Sequence, residues 1–284
     1  MITASHGTGA STRTGKAPAR TAHRGRAVPD GLVMTGRYLR HVLRAPEELV
    51  IYFSLPIMFV LVFGYVFGSG VSLPGGGGYR EFLLPGVFVM TMLYGVGATG
   101  TAIAVDVNRG VVDRFRSLPM ARSALLVGRI AADQVRALLE ISALVVCGLL
   151  VGWSAHRGIG NALLGIGLLL LLRLALSAIG VVLGLAAPNP DTVATIVFPL
   201  AFPLSAVSNV FVAPESMPQW LRVVAEWNPV SATVTALRDL FGNPGPISGS
   251  WPTEHALLLA VVWPVLLIAV FAPLGVWRYR RLGG

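Results

Sequence analysis

Few groups in this 284-residue chain have types and spacing that could do chemistry. The five histidines (His6, His23, His41, His156 and His255) are scattered, with no HExxH and no pairing at metal-ligand spacing. No GxSxG elbow is present, so neither a metal site nor a catalytic residue can be assigned. The single cysteine, Cys147, lies in an apolar run, which excludes a disulfide framework and marks a small core residue. A phosphate-binding P-loop needs Gly-Lys-Ser/Thr, yet the only lysine, Lys16, is followed by Ala17. ATP hydrolysis by that route is therefore outside this chain's means. Gly95-Val-Gly-Ala-Thr-Gly100 is formally GxGxxG, but the dinucleotide reading needs a preceding strand. Inside an apolar run the spacing predicts close helix packing instead.

Two ionisable residues stand within apolar runs, Glu140 and Arg173. An arginine at mid-membrane costs ~2.5–3.5 kcal/mol on insertion scales, so Arg173 requires a polar partner or a wet cavity. The runs holding them form a hairpin across the short Ser154–Asn161 loop, which lets Arg173 approach Glu140. An ion pair with Glu140 and a place on a translocation path are equally compatible with this spacing.

The one long polar interruption of the hydrophobic region is Asp106–Arg136, with six arginines. Within it Val111, Phe115 and Leu118 fall at i, i+4 and i+7, so a short helix puts them on one face. Asp113, Arg114 and Arg116 point elsewhere, and Pro119 ends the pattern. An amphipathic helix between two membrane spans suits docking on a soluble partner. A plain solvated loop fits the same spacing.

These residues need a scaffold, and composition says what kind. The chain is 54% hydrophobic and 12% charged, with mean hydropathy +0.71, so lipid rather than water surrounds most of it. An all-α polytopic membrane fold is expected, with spans at Leu49–Gly68, Leu83–Val105, Ala137–Trp153, Ala162–Ala187, Val193–Val212 and His255–Trp277. Of the Lys and Arg residues, 17 fall before the first span, in the Asp106–Arg136 loop and after the last span, and four in the alternate loops. The positive-inside rule then places both termini and that loop in the cytosol. The net charge of +9 sets topology and is no sign of nucleic acid.

Residues 1–27, without any acid, read as a disordered basic tail, and 28–48 as an interfacial elbow. In the elbow Leu32, Leu39, Val42 and Leu43 oppose Arg37, Arg40 and Arg44, and Pro46-Glu47-Glu48 starts a new helix. Residues 49–281 form the six-span domain. Pro199 and Pro203 are expected to kink the fifth span. Before the last span, Trp220, Val223, Val224 and Trp227 share a face, with Arg222 and Glu226 paired at i, i+4. Asn228-Pro229 breaks that helix, and a second, Ser231–Phe241, follows with Ser231 as its N-cap.

Three stretches together resemble the membrane permeases of type-2 ABC exporters, the daunorubicin-resistance branch in particular. They are Glu81-Phe-Leu-Leu-Pro-Gly86; Asp113-Arg-Phe-Arg-Ser-Leu-Pro-Met-Ala-Arg122 with Gly128-Arg129 and Ala132-Asp133; and Phe198-Pro199, Ser208-Asn209-Val-Phe-Val212, Met217-Pro-Gln-Trp-Leu221, Asn228-Pro229 and Arg238. The resemblance implies a homodimer joined to two copies of a soluble ATPase that holds the ATP and Mg, with no cofactor on this chain. It implies an ATPase-coupling helix at about Asn108–Leu118, involving Asn108, Val111, Val112, Asp113, Arg114, Phe115, Arg116, Leu118, Pro119 and Arg122. Short outer re-entrant helices would carry Asn209, Met217, Pro218, Trp220, Asn228, Pro229 and Arg238. The cargo would be a small hydrophobic or amphipathic compound, such as an antibiotic, or a lipid or glycan. Its path would be lined mainly by the first, second and fifth spans. An ion-coupled carrier is the rival reading, and it requires carboxylates in several spans.

Overall fold

The computed structural model describes residues 46–68, 73, 76–110, 124–247 and 249–281, and those residues form helices without a strand. α1 spans Pro46–Leu61 and continues as a π-helical turn, Val62–Phe67. α2 is Tyr79–Asn108, α3 Ala124–Leu150, α4 Gly158–Ala186 and α5 Pro190–Ala206. A 3₁₀ turn, Pro214–Ser216, leads to α6, Gln219–Trp227, and α7, Pro229–Phe241. The short α8, Trp251–Glu254, precedes α9, Ala256–Arg281.

α2 is the centre of the bundle because it is apolar on every side, and a helix of that kind must be surrounded. Phe82 through Leu93 are buried without a break. α4 lies closest to it, and glycines set the separation. A Cβ at Gly184 would meet the Gly100 carbonyl at 2.4 Å, and one at Gly180 the Val96 carbonyl at 2.8 Å. The formal GxGxxG is thus a packing surface between membrane helices, as its setting predicts.

α5 is held differently. Val193, Val197, Ala201 and Ser205, at intervals of four, are buried, while Ile196, Phe198, Leu200, Phe202 and Leu204 are exposed. Its start fits the Pro-Asn-Pro-Asp turn: Asn189 accepts from the Thr192 N–H at 2.9 Å and Pro190 occupies the first turn. The end of the bundle where α7 packs closes around Phe88, Trp153 and Phe241, whose rings meet edge to face at 5.4–6.3 Å.

By length and composition α2, α4 and the Ala256–Tyr279 part of α9 can each cross a membrane. Ser54–Val66, across α1 and its π-helical turn, and all of α5 are shorter apolar helices. α3 is long but charged in its first half. The third span therefore differs from expectation, since its helix starts at Ala124 rather than near Ala137. The fifth ends at Ala206, six residues earlier than expected. α2, expected to line a path, is buried within the chain along most of its length.

Candidate functional site

Arg173 is the most consequential side chain of the interior, with no exposed surface at all. Its Nε donates to Asp133 Oδ2 at 2.8 Å and its Nη2 to Asp133 Oδ1 at 2.6 Å, a two-pronged pair between α4 and α3. Ser177, one turn along α4, donates to Asp133 Oδ2 at 2.5 Å, and Arg173 Nη1 reaches the Met92 carbonyl of α2 at 3.4 Å. Glu140 stands further away, its Oε2 3.7 Å from Nη1, and takes its close bond from Arg136 Nε at 2.9 Å. The ion pair expected with Glu140 is therefore primarily a pair with Asp133. The reason is helix register: α3 extends nine residues below Asp133, so this acid lies inside the bundle and not on the loop. Buried on every side, Arg173 faces no open path in this conformation.

The space for the guanidinium comes from α2. A Cβ at Gly95 would lie 1.4 Å from Nη1 and 1.9 Å from Cζ, so any side chain there requires the guanidinium to shift. A signal for Asp133 was present in the sequence. It is seven residues before Glu140, hence on the same helical face, with Arg136 between them.

A second polar cluster ties the outer helices to α2. Arg238 on α7 is fully buried; its Nε donates to the Phe82 carbonyl at 2.9 Å and its Nη2 to the carbonyls of Asn209 at 2.8 Å and Val210 at 3.3 Å. Its guanidinium carbon also lies over the Phe82 ring, 3.5 Å from the centroid. Asn209 donates its backbone N–H to Ser231 Oγ at 3.0 Å and its side-chain amide to Thr235 at 2.7 Å. Asn228 does two jobs: it caps α7 by accepting from the Val230 N–H at 2.9 Å, and it donates to the Leu204 carbonyl at 3.0 Å. The N-cap of α7 is thus Asn228, and Ser231, one turn in, serves Asn209 instead. Pro229 takes the first helical position, where a missing N–H costs nothing.

The other outer residues lie apart from this cluster. Met217 and Pro218 precede α6, and Trp220 on α6 is 71% exposed, beside the exposed Val223, Val224 and Trp227. On the same helix Glu226 accepts from Arg222 at 2.9 Å, which holds that guanidinium above its ordinary pKa. Of the coupling residues, Asn108 is the exposed last residue of α2. Val111, Val112, Asp113, Arg114, Phe115, Arg116, Leu118, Pro119 and Arg122 lie outside the described residues, as does the elbow up to residue 45. Among the described residues no three His, Cys, Asp or Glu side chains converge where an ion would sit.

The amino-acid sequence is matched among known proteins. Residues 31–241 match the ABC-2 type transporter domain. The chain belongs to the ABC-2 type transporter family. It is the membrane-embedded permease subunit of an ABC exporter, and that membership removes the ion-coupled carrier. The daunorubicin resistance ABC transporter permease protein DrrB1 of Streptomyces coeruleorubidus is 32% identical over 287 residues, 99% of each chain. The probable doxorubicin resistance ABC transporter permease protein DrrC of Mycobacterium tuberculosis is 26% identical over 262 residues, 89% of each. A putative transport permease, ycf38, of Cyanophora paradoxa is 21% identical over 254 residues. As a permease of this family the chain is a multi-pass membrane protein that works with an ABC ATPase.

Proposed function

We propose that this permease exports a hydrophobic or amphipathic drug from the cell as one half of a homodimer, powered by two copies of a separate ATPase. The observation that carries the reading is its match along the whole chain to a permease named for daunorubicin resistance. Six spans with cytosolic termini in the plasma (inner) membrane fit the arginine distribution, with α2, α4 and α9 long and apolar enough to cross and α1 and α5 as the shorter apolar helices. At 27 residues α3 is about 40 Å long, enough to cross a bilayer core despite its charges. α5 supports the homodimer, because one buried stripe leaves its phenylalanines and leucines for a second copy or for cargo. The ATPase would bind the loop after α2 through Val111, Phe115 and Leu118, with ATP and Mg held on the ATPase.

The test is co-expression with a cognate ABC ATPase and reconstitution into liposomes. ATP-dependent daunorubicin movement is expected, together with co-purification of the ATPase that is lost in Phe115→Glu/Leu118→Glu. Assembly and transport that survive that double change refute the docking surface. ATP-dependent movement of a labelled lipid or glycan, with none of daunorubicin, assigns the other cargo class.

A further inference from the structure

α3 carries the cytosolic loop into the membrane, and from Val127 on the described side chains of its lower half bury mostly small groups. The buried positions there are Gly128, Ala132, Asp133 and Ala137, with Ile130 partly buried against the cluster of Ile103, Val181, Leu185 and Tyr279, and the larger Ile141 and Leu144 come only further along. Dispersion contacts scale with the atoms that meet, so small side chains give little resistance to sliding. Beside the Ile130 contact, the directional contacts at that depth are polar. Asp133 grips Arg173 in two-pronged fashion, and Gln134, in the amide orientation its surroundings favour, bonds the Leu170 carbonyl and Leu174 N–H of α4 at 3.2 Å each. Arg173 in turn touches the Met92 carbonyl and fills the space left by Gly95, so a single guanidinium joins three helices.

We infer that the Asp133–Arg173 pair is the positioning tie of the working stroke, passing displacement of the cytosolic loop from α3 into α4 and α2. The inference rests on the proposed docking of the ATPase at that loop. Folding alone does not call for the pair. A buried ion pair can generally be exchanged for apolar side chains with no loss of stability, or with a gain. The chain also keeps glycine at 95, inside its most buried helix, where alanine is favoured by about 1 kcal/mol. Apolar contacts tolerate a shift of register, whereas two parallel N–H···O bonds fix one. Asp133, Arg136, Glu140 and Arg173 also sum to zero charge, so the tie moves through lipid without carrying net charge.

The test uses the full transporter with its ATPase in liposomes, on a Cys147→Ser background. Asp133→Leu/Arg173→Met is expected to fold with an unchanged or higher melting temperature, to retain the ATPase and to hydrolyse ATP. Daunorubicin moved per ATP should fall about tenfold, within the range seen for residues that couple distant sites. Spin labels at Val127 and Ala186, both exposed, report on the tie without any cargo. Their separation should stay constant when ATP is trapped in the parent and change by several ångströms in the double variant. Parent-like transport per ATP with a constant separation overturns the tie. Should the double variant not reach the membrane, Arg173→Lys decides: it keeps the charge but loses the fork, and an unchanged label separation with unchanged transport per ATP overturns the proposal. Failure of the docking reading looks different, because the ATPase then stays bound to Phe115→Glu/Leu118→Glu.

Discussion

Replacing Gly95 with alanine is the sharpest perturbation that the geometry offers. The added methyl would sit 1.4 Å from Arg173 Nη1 and 1.9 Å from its Cζ, well inside van der Waals contact. The guanidinium must shift, and the expectation is that both bonds to Asp133, from Nε and Nη2, break with it. Stranding one member of a buried ion pair costs about 3–5 kcal/mol. Alanine returns about 1 kcal/mol of helix propensity over glycine. The expected net loss is therefore about 2–4 kcal/mol. Gly97 is the internal control two residues away. A Cβ there finds Val197 at 3.4 Å, an ordinary contact, so Gly97→Ala should be neutral or stabilising by up to about 1 kcal/mol. Denaturant unfolding in bicelles, followed by tryptophan fluorescence, measures both. On an Asp133→Ala/Arg173→Ala background the penalty of Gly95→Ala should vanish, since nothing remains to displace. Equal stability of the two single variants, or an undiminished penalty on that background, refutes the assignment of Gly95 as the seat of the guanidinium.

At the outer end, Arg238→Lys keeps the charge but cannot reach three carbonyls, and Arg238→Met loses all three bonds. Losses of roughly 2 and 5 kcal/mol are expected, from about 1.5–3 kcal/mol per charged hydrogen bond with one lost in the lysine variant and three in the methionine, and a lysine variant no better than methionine would contradict the fork. Asn228→Ala removes the α7 cap and the bond to Leu204, so about 1–2 kcal/mol should be lost in the same unfolding assay. Ser231→Ala strands the buried Asn209 N–H and should cost a comparable roughly 1–3 kcal/mol, whereas a helix-cap role for Ser231 would make its effect additive with that of Asn228→Ala. Arg157 and Asp239 pair at 2.7 Å on an exposed surface, and Asp239→Asn should stay within about 1 kcal/mol of the parent.

Much of the architecture was legible because membrane helices announce themselves by composition. Long apolar runs marked α2, α4 and α9, and the spacing of Trp220, Val223, Val224 and Trp227 marked α6 with its Arg222–Glu226 pair. α3 was foreshortened for the same reason: a hydropathy reading stops at Arg129, Asp133 and Arg136, and cannot know that neighbouring helices shelter them. The α7 cap was misplaced because Ser231 and Asn228 are both good capping residues. Pro229, which suits only the first turn, decides between them.

The sequence alone determined the solvent of this protein, the absence of a Gly-Lys-Ser/Thr nucleotide loop, and the demand that a buried Arg173 find a partner. These follow from residue type and local period, which need no knowledge of neighbours. Which partner it found, and which glycine made room for it, were decided only when α2, α3 and α4 came together. A bidentate bond depends on the rotation and depth of separate helices to within an ångström, and no one-dimensional spacing carries that information.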